Sequence, residues 1–419
     1  MKTVTVKKAD RNLKGTIQLP FSKSLSNRLM IIKAQAPGDF QIKNLAEADD
    51  TILLADLLKK IKERKQQKQI LELDTGNAGT AMRFLTAYLS SIPGKWILTG
   101  SERMKLRPIG ALVDALRPLG AEIDYLAKLN YPPLLIKGRS LQGGEINVDA
   151  GISSQFVSAL IMTGPYIPGG ITIYLRGEAV SKPYINMTIR LLEYFGIQVK
   201  REKNKIIIPE SAYQPKDYTV EADWSSAAFW YESAALADEA DLILLGLHSN
   251  SLQGDSIISS IYQNFGVTTE YLENGVRITK SKKKIGGFYF NFSDYPDIAP
   301  PVITTCAAIG IRGRFEGLKS LKIKESNRLL ALKNELKKIG IIVETSDAAD
   351  NDLSMEFPPS IIKMTLALRM EPYGDHRMAM TFAPLALKLG TITIENPDVV
   401  KKSYPQFWEH LSSLGFEVY

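Results

Sequence analysis

The chain has 419 residues, 45% of them hydrophobic and 23% charged, with 52 basic against 45 acidic side chains, a formal charge of +7 and one cysteine. This composition excludes general disorder and an internal disulfide, and no apolar run reaches the roughly 18 residues of a membrane helix. It also exceeds what one hydrophobic core usually organises, so two domains of about 200 residues are expected.

Met1 to Arg11 alternates Val and Thr with Lys and lacks an apolar signal core, which with the single Cys306 predicts a reducing, cytoplasmic setting. Cys306 itself lies in an apolar run and reads as packed filler. The positive balance fits either a polyanion or small phosphorylated substrates. Its densest basic runs, Lys59 to Lys68 and Lys280 to Lys284, contain no aromatic residue to stack on bases, so they read as solvated surface.

Following a strand-like Gly15 to Pro20, Ser22-Lys23-Ser24-Leu25-Ser26-Asn27-Arg28 precedes an apolar Leu29 to Ile32. Hydroxyls and cations at a helix start add to its unpaired N–H groups and positive dipole end, which makes an anion cradle. Asp74 to Arg83 is a second, glycine-interrupted loop running into an apolar helix. Gly76 and Gly79 let the backbone approach an anion, with Asn77 and Thr80 as donors, but the Lys of a nucleotide P-loop is missing. Arg103, Lys105 and Arg107 alternate, which in an extended segment would aim all three the same way. Ser153-Ser154-Gln155 reads as an N-cap or a donor set before Phe156 to Met162, and Ser181-Lys182 as a turn.

Further along, Asp297 before an apolar stretch reads alone as an N-cap. Lys324 and Arg328 stand four apart, on one face of a helix that Lys324 to Arg328 would open, with Glu325 beside them. Asp375-His376-Arg377 precedes the apolar Met378 to Leu387 and makes His376 a better site candidate than His248 or His410. Lys23, Arg28, Arg107, Lys324, Arg328, Arg377 and Lys402 recur at similar places along the chain, with few carboxylates among them. Asp297, Glu325 and Asp375 are the candidate proton carriers.

Five segments repeat one grammar of amphipathic helix, glycine and short strand, around Gly120, Gly196, Gly266, Gly340 and Gly415, at intervals of 76, 70, 74 and 75 residues. Such a period marks a supersecondary module. Six modules would fill the chain, the first degenerate, because Leu53 to Ile70 has the helix pattern but a Lys/Gln-rich stretch in place of the glycine.

In order, Ser22 to Arg28, Gly76 to Arg83, Arg103 to Gly110, Ser153 to Gln155, Ser181 to Ile185, Lys324 to Arg328 and Asp375 to Met380 resemble the 5-enolpyruvylshikimate-3-phosphate synthases, the 3-phosphoshikimate 1-carboxyvinyltransferase family of aromatic amino acid biosynthesis. The resemblance spans the whole chain. It implies an α/β (α+β) fold of two domains that close on substrate, built of six βαβαββ-type modules, three in each. One domain would comprise residues 1–20 plus 222–419 and carry the phosphoenolpyruvate groups and catalytic carboxylates. The other, 21–221, would be inserted and bind shikimate 3-phosphate.

The implied reaction transfers the enolpyruvyl group of phosphoenolpyruvate to the 5-hydroxyl of shikimate 3-phosphate by addition and elimination, with no metal or cofactor. Lys23, Ser24, Arg28, Ser153, Ser154, Gln155, Ser181, Asp297 and Lys324 would hold shikimate 3-phosphate. Lys23, Gly79, Arg107, Gln155, Arg328, Arg377 and Lys402 would hold phosphoenolpyruvate. Asp297 would accept the hydroxyl proton, Glu325 would protonate the methylene carbon, and Lys23 would stabilise developing charge. A cytoplasmic monomer is expected, with small-molecule partners and neither nucleic acid nor membrane.

Phe21, Phe84, Leu106, Ser320 and Asn327 depart from the family's usual residues, which bears on substrate affinity and inhibitor response. The alternatives are the related UDP-N-acetylglucosamine enolpyruvyl transferase, whose loop Cys has no counterpart in Arg103 to Pro108, and a catalytically silent anion-binding relative. An RNA-binding relative of similar modular fold is disfavoured by the scarcity of basic-aromatic patches.

Overall fold

The structure is a computed structural model that describes residues 2–64, 69–281, 286–345, 351–356 and 368–419. Residues 65–68 and 282–285 of the two basic runs lie outside the described residues. The chain divides into two compact units, residues 1–22 with 221–419 and residues 23–220. At the junction the Ser22 amide donates to the Glu221 carbonyl at 2.9 Å and the Asp223 amide to the Pro20 carbonyl at 2.9 Å. Gln253 ties both strands of this crossing: its Oε1 accepts from Ser22 Oγ at 3.0 Å, and its Nε2 donates to the Ala222 carbonyl at 2.7 Å.

Five four-stranded sheets share one topology, a parallel pair followed by two antiparallel pairings. In the inserted unit they are Ile70–Asp74, Gly94–Thr99, Leu134–Gly138, Glu122–Tyr125 and then Gly144–Asp149, Ile171–Arg176, Lys205–Ile208, Lys200–Glu202. In each, a helix links the parallel strands and a second helix leads into a hairpin, which is the βαβαββ order that the resemblance implies.

The discontinuous unit repeats the arrangement three times. Its first parallel pair, Asn12–Gln18 with Glu239–Leu245, is split by the entire inserted unit. Its third sheet is completed by the N-terminal strand Thr3–Lys7, paired with Thr391–Glu395. The degenerate module, the first along the chain, has among the described residues a two-stranded parallel pair, Ile42–Lys43 with Tyr218–Thr219, in place of a four-stranded sheet. Its helix Asp49–Lys62 ends at Glu63 in a right-handed conformation rather than at a left-handed glycine, which is why the glycine signal fails there.

All five repeat glycines have φ between 77° and 94°, the left-handed region an L side chain rarely adopts. At four of them the following amide reaches back to a helix carbonyl, as Ile341 does to Leu336 at 3.1 Å. That reversal lets each helix stop and its strand begin within a few residues.

Within a module the two helices have different surroundings. The first is apolar nearly all round and buried: all thirteen residues of Trp224–Leu236, ten of eleven in Ala299–Ile309 and nine of ten in Ser154–Thr163. The second is one-sided, with five of fourteen residues buried in Asp49–Lys62 and six of thirteen in Lys182–Tyr194. Each unit therefore wraps three interior helices in a shell of sheets and amphipathic helices. The candidate polar groups concentrate at the N-terminal ends of those interior helices.

Candidate active site

In the discontinuous unit, Asp297 occupies a 3₁₀ turn, Pro296–Ile298, directly before the interior helix Ala299–Ile309. Its carboxylate takes cations instead of acting as a simple N-cap. Oδ1 lies 3.4 Å from Lys324 Nζ and accepts from Arg328 Nη1 at 3.2 Å, while Oδ2 accepts from Arg377 Nη2 at 3.1 Å. Burial alone would push this carboxyl up, but Arg377, Lys324 and Arg328 together outweigh it and hold Asp297 well below the usual carboxylate range.

Arg328 is the hub, 1% exposed. Its Nε donates to Asp375 Oδ2 at 2.7 Å, its Nη2 to Glu325 Oε2 at 2.9 Å and to Asp375 Oδ1 at 3.3 Å. One guanidinium thus binds three carboxylates, and its pKa rises, because Asp375, Glu325 and Asp297 overcome the desolvation that would lower it. The Ser326 hydroxyl adds a bond to Asp375 at 3.1 Å.

The local path differs from the sequence expectation. The helix begins at Arg328, capped by the Asn327 side chain, and Lys324 lies in extended backbone before it. Lys324 and Arg328 converge on Asp297 by tertiary placement rather than by helical spacing. Likewise Asp375 is itself the N-cap of the interior helix His376–Phe382, accepting from the Arg377 amide at 3.0 Å, so the helix begins two residues before the predicted Met378. His376 is buried, 1% exposed. Lys402 ends the 3₁₀ stretch Pro397–Lys402, which packs against the helix carrying Arg377.

In the inserted unit, Lys23, Gly79 and Ser154 each open an interior helix, and these three helices pack together. Lys23 Nζ pairs with Asp50 at 3.1 Å. Gln155 Nε2 donates to Thr80 Oγ1 at 3.4 Å, joining two helix starts. Ser153 caps its helix by accepting from the Gln155 amide at 3.2 Å. Arg107, 4% exposed, lies across the Gly79 turn, where a Cβ on Gly79 would come 2.6 Å from Nη2. Glycine there is a condition for the arginine's position.

The segment Met104–Leu106 is a 3₁₀ turn, not an extended strand, so its cations diverge. Arg107 turns inward while Lys105 pairs with Glu102 on the surface at 2.7 Å. Arg28 lies deeper, 2% exposed, donating to Thr188 Oγ1 at 2.7 Å, the Ser24 carbonyl at 2.9 Å and Ser158 Oγ at 3.1 Å, with the Phe84 ring 5.4 Å away. Burial pulls its pKa down to about 10. Ser181 is no ordinary turn residue: it precedes the helix Lys182–Tyr194 with φ 54°, 5% exposed, without capping that helix through its side chain.

Asp50, Ser326 and Asp255 belong to these clusters although the residue patterns singled out none of them. Asp255 is 2% exposed, and the Ser225 hydroxyl donates to it. Burial, then the charge of Asp297, push its pKa up to about 6. Among the described residues no group of three or more His, Cys, Asp or Glu side chains is placed to hold a metal ion.

Two cation-rich sites at helix starts, with a buried arginine–carboxylate hub in one, are the geometry of a protein that handles small polyanions. The sequence model of EPSP synthase (3-phosphoshikimate 1-carboxyvinyltransferase) matches residues 7–411. The chain belongs to the EPSP synthase family. A 3-phosphoshikimate 1-carboxyvinyltransferase of Bacteroides fragilis (strain YCH46) is 44% identical over 411 residues, covering 98% of this chain and 97% of that relative. One from Sulfurovum sp. (strain NBC37-1) is 37% identical, covering 99% and 100%. A solved EPSP synthase of Acinetobacter baumannii superposes with a TM-score of 0.78 over 100% of both chains at 23% identity, which shows the shared fold.

Proposed function

We propose that this member of the EPSP synthase family transfers the enolpyruvyl group of phosphoenolpyruvate to the 5-hydroxyl of shikimate 3-phosphate, releasing phosphate, as a step of the shikimate pathway toward chorismate and the aromatic amino acids. Full-length membership of the family, with 44% identity to a carboxyvinyltransferase, carries this reading. The unit 23–220 supplies most of the shikimate 3-phosphate set, Ser24, Ser153, Ser154, Gln155 and Ser181. Arg28 fixes the first of these through the Ser24 carbonyl that it holds. Arg107 over Gly79, Lys23 and Gln155 act on phosphoenolpyruvate, together with Arg328, Arg377 and Lys402 of the other unit. That second unit also supplies Asp297, Lys324 and Glu325.

In the addition step Asp297 accepts the proton of the 5-hydroxyl as that oxygen bonds to C2 of phosphoenolpyruvate, and Glu325 donates a proton to C3, making a methyl group. In the elimination step the C2–O bond to phosphate breaks, the methyl group returns a proton to the Glu325 carboxylate, restoring the double bond, and the proton held by Asp297 leaves with the phosphate. Before substrate binds, three cations hold Asp297 well below the usual carboxylate range and weaken it as a base. Substrate phosphates and carboxylates that draw Arg377 and Lys324 toward themselves raise its basicity as they bind, so the base is armed by substrate. Lys23 and the arginines stabilise the negative charge that develops on the leaving phosphate.

As part of the same proposal, the chain acts as a cytoplasmic monomer on these small molecules. No helix among the described residues is long and apolar enough to cross a membrane. The deciding experiment supplies phosphoenolpyruvate with shikimate 3-phosphate or with UDP-N-acetylglucosamine and measures phosphate release. Release with shikimate 3-phosphate alone is expected. Release only with the nucleotide sugar overturns the assignment, and release with neither points to a silent relative.

A further inference from the structure

The helix Arg328–Lys337 grips one short segment at both of its ends. Arg328 holds Asp375. Glu335, seven residues and so about 10 Å further along the helix, holds the start of the same segment. Its Oε2 accepts from the Glu371 amide at 3.0 Å and from Lys338 Nζ at 2.6 Å, and its Oε1 accepts from the Tyr373 hydroxyl at 3.0 Å. Asn334 Nδ2 donates to the same hydroxyl at 3.2 Å. Lys338 also donates to the Arg369 carbonyl at 3.0 Å.

The segment held in this way is strained. Tyr373 has φ 54° and Gly374 φ 67°, two left-handed residues in succession, and a tyrosine adopts that conformation only where its surroundings impose it. Directly after this reversal come Asp375, the partner of Arg328, and Arg377, the partner of Asp297. Glu335 is 1% exposed and lies outside the reacting cluster, so its bonds to Tyr373 and Glu371 act on chemistry only through the turn.

We infer that Glu335 is a positioning residue, which clamps Tyr373 in its left-handed state and so aims Arg377 for the carboxylate or phosphate of the enolpyruvyl donor. This rests on the proposed transferase reading for its kinetic consequence, but not for its structural one. Glu335→Ala frees Tyr373 to relax to negative φ and lets the start of the helix His376–Phe382 shift. Glu335→Gln keeps the clamp, because its amide oxygen can accept from the Glu371 amide while its NH₂ donates to the tyrosine oxygen. Tyr373→Phe removes both hydroxyl bonds, the one to Glu335 and the one from Asn334, and leaves the ring.

The test has two arms. Hydrogen exchange followed by mass spectrometry on the whole protein should show the peptide spanning 368–377 exchanging about tenfold faster in Glu335→Ala and severalfold faster in Tyr373→Phe. Glu335→Gln should stay within about threefold of the parent. Steady-state kinetics should show KM for phosphoenolpyruvate rising about tenfold in Glu335→Ala, with KM for shikimate 3-phosphate within about twofold and Glu335→Gln restoring most of the loss. Unchanged exchange over 368–377 in Tyr373→Phe and Glu335→Ala overturns the clamp. Equal rises in both KM values, or a Glu335→Gln variant as damaged as Glu335→Ala, would make Glu335 a general structural residue or a mere partner for Lys338. Should Glu335→Ala not fold, Tyr373→Phe carries both arms. An inactive parent would remove the transferase reading, and the exchange arm would still decide this one.

Discussion

Arg328 and Asp375, 47 positions apart in sequence, meet through two hydrogen bonds of 2.7 and 3.3 Å at a point where one is 1% exposed and the other not exposed at all. A charge pair so deeply buried is costly to break from one side, because the partner left behind keeps its desolvation without compensation. Arg328→Ala is therefore expected to lower the stability of the discontinuous unit by about 3–5 kcal/mol. Urea unfolding read by tryptophan fluorescence measures this, since Trp224 and Trp230 lie in the core of that unit. A loss below about 1 kcal/mol, the range of an exposed pair, would contradict the hub's role.

Asp297→Asn keeps the shape of the side chain and removes the proton acceptor. Turnover should fall by about 10²–10⁴, the usual contribution of a positioned general base, while the folded signal by circular dichroism persists. A variant that turns over at near-parent rate would show that another group accepts the hydroxyl proton.

Asp255 and Asp297 respond to pH with opposite signs. The raised pKa of Asp255, about 6, means that the folded protein binds its proton more tightly than the unfolded chain. Its unfavourable contribution therefore develops as pH rises from about 4 to about 6 and amounts to roughly 2–3 kcal/mol above that. Asp297, held low, stabilises above the ordinary carboxylate value, and its share is lost as pH falls through its depressed folded value. Asp255→Asn keeps an acceptor for the Ser225 hydroxyl and should be more stable than the parent at pH 7.5 by more than at pH 4.5. An equal difference at both values in urea titrations would contradict a raised Asp255.

Gly79→Ala places a methyl group where the Arg107 guanidinium now lies, at 2.6 Å from Nη2. The arginine, 4% exposed and packed into its turn, has to move. KM for phosphoenolpyruvate should rise about tenfold or more with little change in the KM for shikimate 3-phosphate, as steady-state phosphate release would show. A rise confined to shikimate 3-phosphate would reassign Arg107.

What the residues alone disclose here is local. The five repeat glycines could be read because a left-handed helix end demands glycine at one place, whatever the rest of the fold does. The site residues at helix starts could be read because hydroxyls, amides and cations there satisfy backbone groups within a few positions, as Ser153 and Asp375 do. The hub's long-range bonds could not. Arg328 reaches Asp375 across 47 positions and Asp297 across 31, Arg28 reaches Thr188 across 160, and no short-range pattern announces any of these bonds. Lys105 parts from Arg107 for a related reason: a 3₁₀ turn replaces the alternation of an extended chain, so neighbouring cations leave in different directions.

Addition and elimination require a proton to reach C3 of the enolpyruvyl group, which makes a transient methyl. Turnover of phosphoenolpyruvate and shikimate 3-phosphate in D₂O, with the product analysed by mass spectrometry, tests this most directly. Deuterium in the product's methylene group is expected with the parent protein, and Glu325→Gln should form neither product nor label. Product formed at full rate without deuterium would contradict addition and elimination, and with it the role given to Glu325.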